Sequence, residues 1–295
     1  MAPHSLKEKM KQAKALCENR LSQLLISTDA DADLLYESMR YSVMAGGKRI
    51  RPFLVLAFSE LFGGDARVAL NFACALEMVH TYSLIHDDLP SMDNDDYRRG
   101  MLTNHKKYGE ATALLAGDAL LTYAFSVIAD AGAEPSATVS AVRALADSAG
   151  PLGMLGGQMM DKAAEEVTPD LFTLERLQSR KTGALMRVAA ELGLLAAGVT
   201  DQKIRADALT YADRLGRAFQ IKDDLLDLYG DEKLLGKQVG RDVREGKTTY
   251  PSLVGVEKAS EELCRLTEEA KAVIAPYTGA ELLIALAEEM TKRKS

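Results

Sequence analysis

Apolar residues return every three or four positions along nearly the whole chain, and that period decides the fold class. It runs through Leu6, Met10, Ala13, Leu16 and Cys17, then through Leu34, Leu35, Met39 and Val43. Strand-like alternation is scarce. The core material is Leu, Ala, Val and Met, and tryptophan is absent, which suits helices better than strands. The chain is expected to be all-α. Breaks fall at Gly46-Gly47, Gly63-Gly64, Pro90, Gly132 to Pro135, Gly150 to Gly157, Pro169, Gly198, Gly230 to Gly246 and Pro276 to Gly279, leaving roughly ten helices between them. RPFLVLAFSELF and AGDALLTYAFSVIADAG are almost wholly apolar, the mark of helices surrounded by other helices. No Ser/Gly-rich linker marks a second domain, so residues 1–295 are expected to form a single helical domain.

A net charge of −7 argues against a nucleic-acid partner, because the overall field repels a phosphate polymer. Cys17, Cys74 and Cys264 are far apart in sequence, odd in number and without metal-ligand spacing, so they are expected to be buried thiols in a reducing compartment. The N-terminal MAPHSLKEKMKQAK has no apolar signal core, and no run approaches the roughly 20 apolar residues of a membrane span. A cytoplasmic protein is expected.

Against this helical background, LIHDDLPSMDNDDYRRG places Asp87, Asp88, Asp93, Asp95 and Asp96 beside Arg98 and Arg99. Like charges this close repel unless something positive sits among them. A second cluster, FQIKDDLLD, holds Asp223, Asp224 and Asp227. At about 100° per residue, Asp223 and Asp227 share one helix face, whereas Asp87 and Asp93 would point apart on a straight helix. Pro90 disfavours helix continuation and lets the chain turn after Leu89, returning Asp93 over the helix end. Converging carboxylates without histidine or thiol suit Mg²⁺, which completes its shell with water and substrate phosphates.

Cations stand where a phosphate ligand would need them. GGKRIRP sets Lys48, Arg49 and Arg51 after two glycines at a helix start, where backbone N–H groups and basic side chains bind anions together. Arg98 and Arg99 follow the first acidic cluster, Lys181 and Thr182 sit in RKTGAL, and Lys237 and Lys247 lie in GKQVGRDVREGKTTYP. Any one of these could be a surface charge. Their number, beside two carboxylate clusters, points to a pair of diphosphates.

These segments, with GGQMMD, occur in the order and approximate spacing of the trans-isoprenyl diphosphate synthases, the polyprenyl synthetases, and the chain resembles that family from about residue 40 to 252. DDLPSMD, with four residues between the aspartate pair and the third aspartate, resembles the bacterial farnesyl and plant-type geranylgeranyl diphosphate synthases. The resemblance implies an isoprenoid-synthase bundle around a deep central cavity, the two aspartate motifs facing each other across its mouth with three Mg²⁺ ions between them. It implies Asp87, Asp93 and Asp223 as ligands, with Asp88, Asp224 and Asp227 as additional or water-mediated partners. Arg98, Lys181 and Lys237 match the allylic diphosphate site; Lys48, Arg51, His80 and Arg99 match the isopentenyl diphosphate site. Gln220 and Asp161 match positions near the metals and the allylic substrate, while Asp242 and Lys247 fit a segment that closes over the site. A homodimer is also implied.

Such a site would stabilise the charge developing on a leaving diphosphate and keep the allylic cation from water. No nucleophile or general-base constellation is visible, and by the resemblance the released diphosphate takes the final proton. His80 lies seven residues before Asp87 on nearly the same helix face. His86 and His105 are expected to be packing residues. Tyr82 and Ser83 lie about one turn below the first aspartate, where the family controls chain length, and Tyr82 resembles the farnesyl-producing type. The expected reaction condenses dimethylallyl or geranyl diphosphate with isopentenyl diphosphate, giving mainly farnesyl diphosphate. Geranylgeranyl diphosphate synthesis, a non-catalytic subunit of a heteromeric synthase and terpene cyclisation are the competing readings. Asp95 and Asp96 are expected to pair with the two arginines or to be solvated.

Overall fold

A computed structural model describes residues 5–229 and 247–292, and the described chain is helical apart from turns and one two-residue hairpin. Contacts gather it into two compact units, residues 1–142 with 192–198, and residues 143–191 with 199–295.

The first unit is built on α4 (Ala66–Asp87). Asp65 caps its start, its carboxylate accepting from the amides of Arg67 and Val68 at 2.7 and 3.0 Å. The helix is apolar around most of its circumference, so neighbours cover it on every side. α1 (Leu6–Leu24), α2 (Asp33–Val43), α3 (Ile50–Leu61) and α6 (Glu110–Ala129) all pack on it. Phe72, Leu76, Met78 and Val79 are fully buried there, each stabilising the fold by about 1.5–3 kcal/mol. By length and composition alone α4 and α6 pass the test for a membrane span, as mostly buried core helices also do. Of their apolar windows, 78% and 39% respectively lie buried in protein.

The second unit is organised by α11 (Gln202–Tyr229), which packs along Val256–Ile274 and Glu281–Lys292. Leu263, Leu266, Ala270 and Ile274 make a buried stripe at helical spacing. Buried Tyr211 donates from its hydroxyl to the Leu283 carbonyl at 2.7 Å. α8 (Met154–Ala164) and α9 (Leu171–Gln178) complete this unit, together with a π-helical turn, Ser179–Gly183, that leads into α10 (Ala184–Ala196).

Most of the expected breaks appear, with one difference. The break placed over Gly150 to Gly157 ends earlier, because α8 starts at Met154 and carries Gly156 and Gly157 inside it. A Cβ on Gly157 would strike the Lys181 backbone, so this glycine serves close packing rather than a turn. Cys17 and Cys74 are buried, their sulfurs 4.0 Å apart, whereas Cys264 is exposed, contrary to expectation. It sits on the solvent side of the Val256–Ile274 stripe. The break over Gly230 to Gly246 lies outside the described residues.

Candidate active site

In the first unit, α4 ends at Asp87 and the chain turns through Leu89 and Pro90, as the proline requires. The Asp93 amide donates to the Asp87 carbonyl at 2.8 Å, so the third aspartate returns to the helix end. Asp87 and Asp93 are half-buried. Asp88 is buried and grips Arg98, which donates from Nε to both carboxylate oxygens at 2.7 and 2.9 Å and from Nη2 at 2.5 Å. Burial pushes the Asp88 carboxyl up from its usual value against the pull of Arg98. Asp95 also approaches Arg98, at 3.6 Å, while Asp96 pairs with Lys106 at 2.8 Å rather than with Arg99.

The two adjacent arginines diverge because of the turn between them. Tyr97–Arg98 and Met101–Leu102 form an antiparallel hairpin whose loop, Arg99-Gly100, has φ of 52° and 76°. Positive φ at both central positions is the type I′ geometry that matches strand twist. Arg98 therefore leaves from a strand toward Asp88, and Arg99 leaves from the loop toward the Gly46 carbonyl, to which its Nη1 donates. Gly47, at φ 120°, makes room: a Cβ there would lie 2.8 Å from the Arg99 guanidinium carbon.

Arg51, in the first turn of α3, has Nη1 3.3 Å from His80 Nε2. Burial, together with Arg51, Arg99, Arg49 and Arg98, holds the His80 imidazole well below its ordinary pKa, so it is neutral at pH 7 and accepts from Arg51. Lys48 is exposed beside this group. Arg49 differs from the expectation that all three basic residues of GGKRIRP face an anion. It is 3% exposed, bound to Glu77 and to the Val43 carbonyl. Three of the four residues expected at the isopentenyl site, Arg51, His80 and Arg99, are thus brought together electrostatically in this unit.

Tyr82 is 2% exposed, with its hydroxyl buried and without a hydrogen-bond partner among the described residues. Its pKa is pushed up to about 12 by burial and by Asp87. Ser83 turns inward along its own helix, donating to the His80 carbonyl at 2.9 Å. His86 lies over Gly117 of α6, its Nε2 3.0 Å from the Leu114 carbonyl, and buried His105 contacts Thr103. Both are packing residues as expected.

In the second unit the segments GGQMMD, KTGAL, FQIKDDLLD and TTYP meet in one hydrogen-bond network. The amides of Gln220 and Gln178 donate to Asp224 at 3.0 and 3.3 Å, and the Tyr250 amide donates to it at 2.9 Å. Thr182 donates to Gln220 at 3.2 Å, and Lys181 pairs with Asp161 of α8. Asp224 and Asp227 are 4% and 1% exposed, while Asp223 is half-buried. Asp223 and Asp227 stand one turn apart on the unbroken α11, and Asp227 shares the deep burial of Asp224. Gln178 and the Tyr250 amide have no signature in a side-chain motif search, although Tyr250 follows the expected TT directly. Lys247 is exposed, and Lys237 and Asp242 lie outside the described residues.

Each unit offers hard oxygen donors without histidine or thiol. Among the described residues no three acidic, histidine or cysteine groups form a ready-made metal cage. One or two carboxylates, with water and substrate oxygens completing the shell, are what Mg²⁺ takes, so Asp87 with Asp93, and Asp223, fit that ion.

Residues 32–275 match the polyprenyl synthetase family. A farnesyl diphosphate synthase from Geobacillus stearothermophilus is 45% identical over 92% of both chains. A geranylgeranyl diphosphate synthase from Cyanophora paradoxa is 47% identical over 88% of both chains. Among solved structures, an FPP/GFPP synthase from Zymomonas mobilis superposes with a TM-score of 0.87 at 38% identity, covering 97% of this chain and 98% of that one. Motif order, all-α architecture and these matches agree: the chain belongs to the polyprenyl synthetase family of trans-isoprenyl diphosphate synthases.

Proposed function

We propose that the protein is a short-chain trans-prenyltransferase that condenses dimethylallyl and geranyl diphosphates with isopentenyl diphosphate and makes mainly farnesyl diphosphate. The observation that carries this reading is the cluster of Arg51, neutral His80 and Arg99 in the same unit as the Asp87–Asp93 turn. A metal-binding carboxylate set suits one diphosphate, and a separate cation set suits a second that needs no metal. Asp87 and Asp93, and Asp223, would hold Mg²⁺, which supplies Lewis-acid stabilisation of the leaving diphosphate. Asp88 orients Arg98, and Asp224 orients Gln220 and Thr182, so these groups are preorganised for charge that develops during ionisation. Lys181, Lys237 and Lys247 are assigned to the allylic diphosphate and to closure of its site.

Tyr82 supports the farnesyl product, because a full-size ring packed one turn below Asp87 limits room for a growing chain. The geranylgeranyl reading is favoured by relatives such as the Cyanophora enzyme. Purified protein with labelled isopentenyl diphosphate, dimethylallyl diphosphate and Mg²⁺ is expected to yield C15 product; a dominant C20 product sinks the farnesyl reading, and no product sinks prenyl transfer. Leu114 and Leu115, exposed on apolar α6, support a homodimer, and sedimentation at a monomer mass would exclude it.

A further inference from the structure

Sequence motifs assign no task to Glu77, yet it is 2% exposed in the middle of α4, one turn before His80. A carboxylate so placed is costly unless something holds it. Arg49 does, with Nη1 on Glu77 Oε1. The same guanidinium donates from Nη2 to the Val43 carbonyl at the end of α2 and reaches Glu18 of α1 through Nε at 3.3 Å. One side chain therefore ties α1, α2 and α4 to the start of α3. Its backbone is left-handed, φ 51° and ψ 39°, a conformation a non-glycine residue keeps only where its surroundings demand it.

The residues flanking this staple are those placed at the isopentenyl site. Lys48 precedes Arg49, Arg51 follows two residues on, and His80 follows Glu77 by three. Glu77 is also the leading counter-charge felt by both Arg51 and Arg99. Without it, Arg49, Arg51 and Arg99 would crowd one region without their leading counter-charge, and Arg49 would lose its buried partner.

We propose that Glu77 and Arg49 are positioning residues for diphosphate capture, fixing Lys48, Arg51 and His80 in place and supplying the counter-charge that lets the cation cluster assemble before the diphosphate arrives. This rests on the reading that the cluster receives isopentenyl diphosphate. The pair touches no reacting atom and acts only through its neighbours.

The test separates positioning from stability. Glu77→Gln is expected to raise the KM for isopentenyl diphosphate about tenfold, with the allylic KM and the kcat per folded molecule within about twofold. Glu77→Asp, which keeps the charge, recovers most of that loss. Equal changes in both KM values, or an unchanged isopentenyl KM, overturn the proposal. Should the Gln variant fail to fold, Glu18→Gln at the half-buried edge of the same network carries the signature at about threefold; an unchanged isopentenyl KM in that variant overturns it equally. Calorimetric titration with inorganic diphosphate in EDTA distinguishes the two levels of inference. Binding weakened by Glu77→Gln in a protein that makes no prenyl product leaves the positioning role standing and sinks prenyl transfer. Product formation with diphosphate binding indifferent to Glu77 does the reverse.

Discussion

The two aspartate pairs look alike in sequence and are held differently. In each, the second carboxylate is buried and committed to protein partners, while the first is half-buried at the helix surface. Asp88 is held by a cation, the bidentate Arg98. Asp224 accepts from two glutamine amides and the backbone N–H of Tyr250 among its partners. The first arrangement neutralises charge locally and fixes one arginine. The second fixes a network spanning several segments. A doubled aspartate therefore divides labour in both units, one member facing outward and the other holding the surroundings.

The strongest test of that division removes the outward members. Asp87→Ala and Asp223→Ala should each lower kcat about a thousandfold while barely moving the urea midpoint; a large stability loss would show that the outward residues also hold the fold. Replacing the inward members should cost less in rate, about 10- to 100-fold for Asp88→Asn and Asp224→Asn in steady-state assays. Both should lose stability by urea unfolding. For Asp88→Asn the loss is about 2 kcal/mol, since Arg98 loses its bidentate anion and keeps only the longer contact to Asp95 and some solvent. For Asp224→Asn it is about 1–3 kcal/mol, since one carboxylate oxygen becomes an NH₂ facing donors. Adding Arg98→Gln should recover much of the first loss.

Aromatic residues below the two pairs sharpen the contrast further. Tyr82→Ala should lengthen the product by one isoprene unit, read by chromatography of the dephosphorylated alcohols. Phe219→Ala, four residues before Asp223 and only half-buried, should not. The smallest effect concerns pH. All four histidines belong to the first unit by sequence position, so folding linkage near neutrality reports on that unit. His80 stays neutral when folded and titrates near its usual value when unfolded. Below about pH 6.5 the unfolded chain binds the extra proton, so stability present above that pH is lost as pH falls, by at most about 1.4 kcal/mol per pH unit. His80→Gln should flatten this slope in urea titrations between pH 5 and 7.

Much of the fold was legible because helical periodicity and Gly/Pro breaks are local signals. The return of Asp93 to Asp87 was legible too, since Pro90 states it in the chain. Where reading failed, the deciding partner was distant in sequence. Gly157 looks like a breaker until the Lys181 backbone is seen against it. Arg49 looks like a phosphate ligand until Glu77, 28 residues on, claims it. Glu77 could have been noticed as an acidic residue on an otherwise apolar helix, one turn from His80, because such a residue must find a cation. The pairing of Asp224 with a backbone amide at Tyr250 leaves no such trace.

The hairpin at Tyr97 to Leu102 constrains what insertions the chain can accept. Its two-residue loop has no spare length, and side chains alternate faces along its strands. One extra residue before Arg98, with the turn held in place, would move Arg98 into the loop and Arg99 to the position of Gly100, taking the strand cation away from Asp88. Length variation should therefore be selected against between Tyr97 and Leu102.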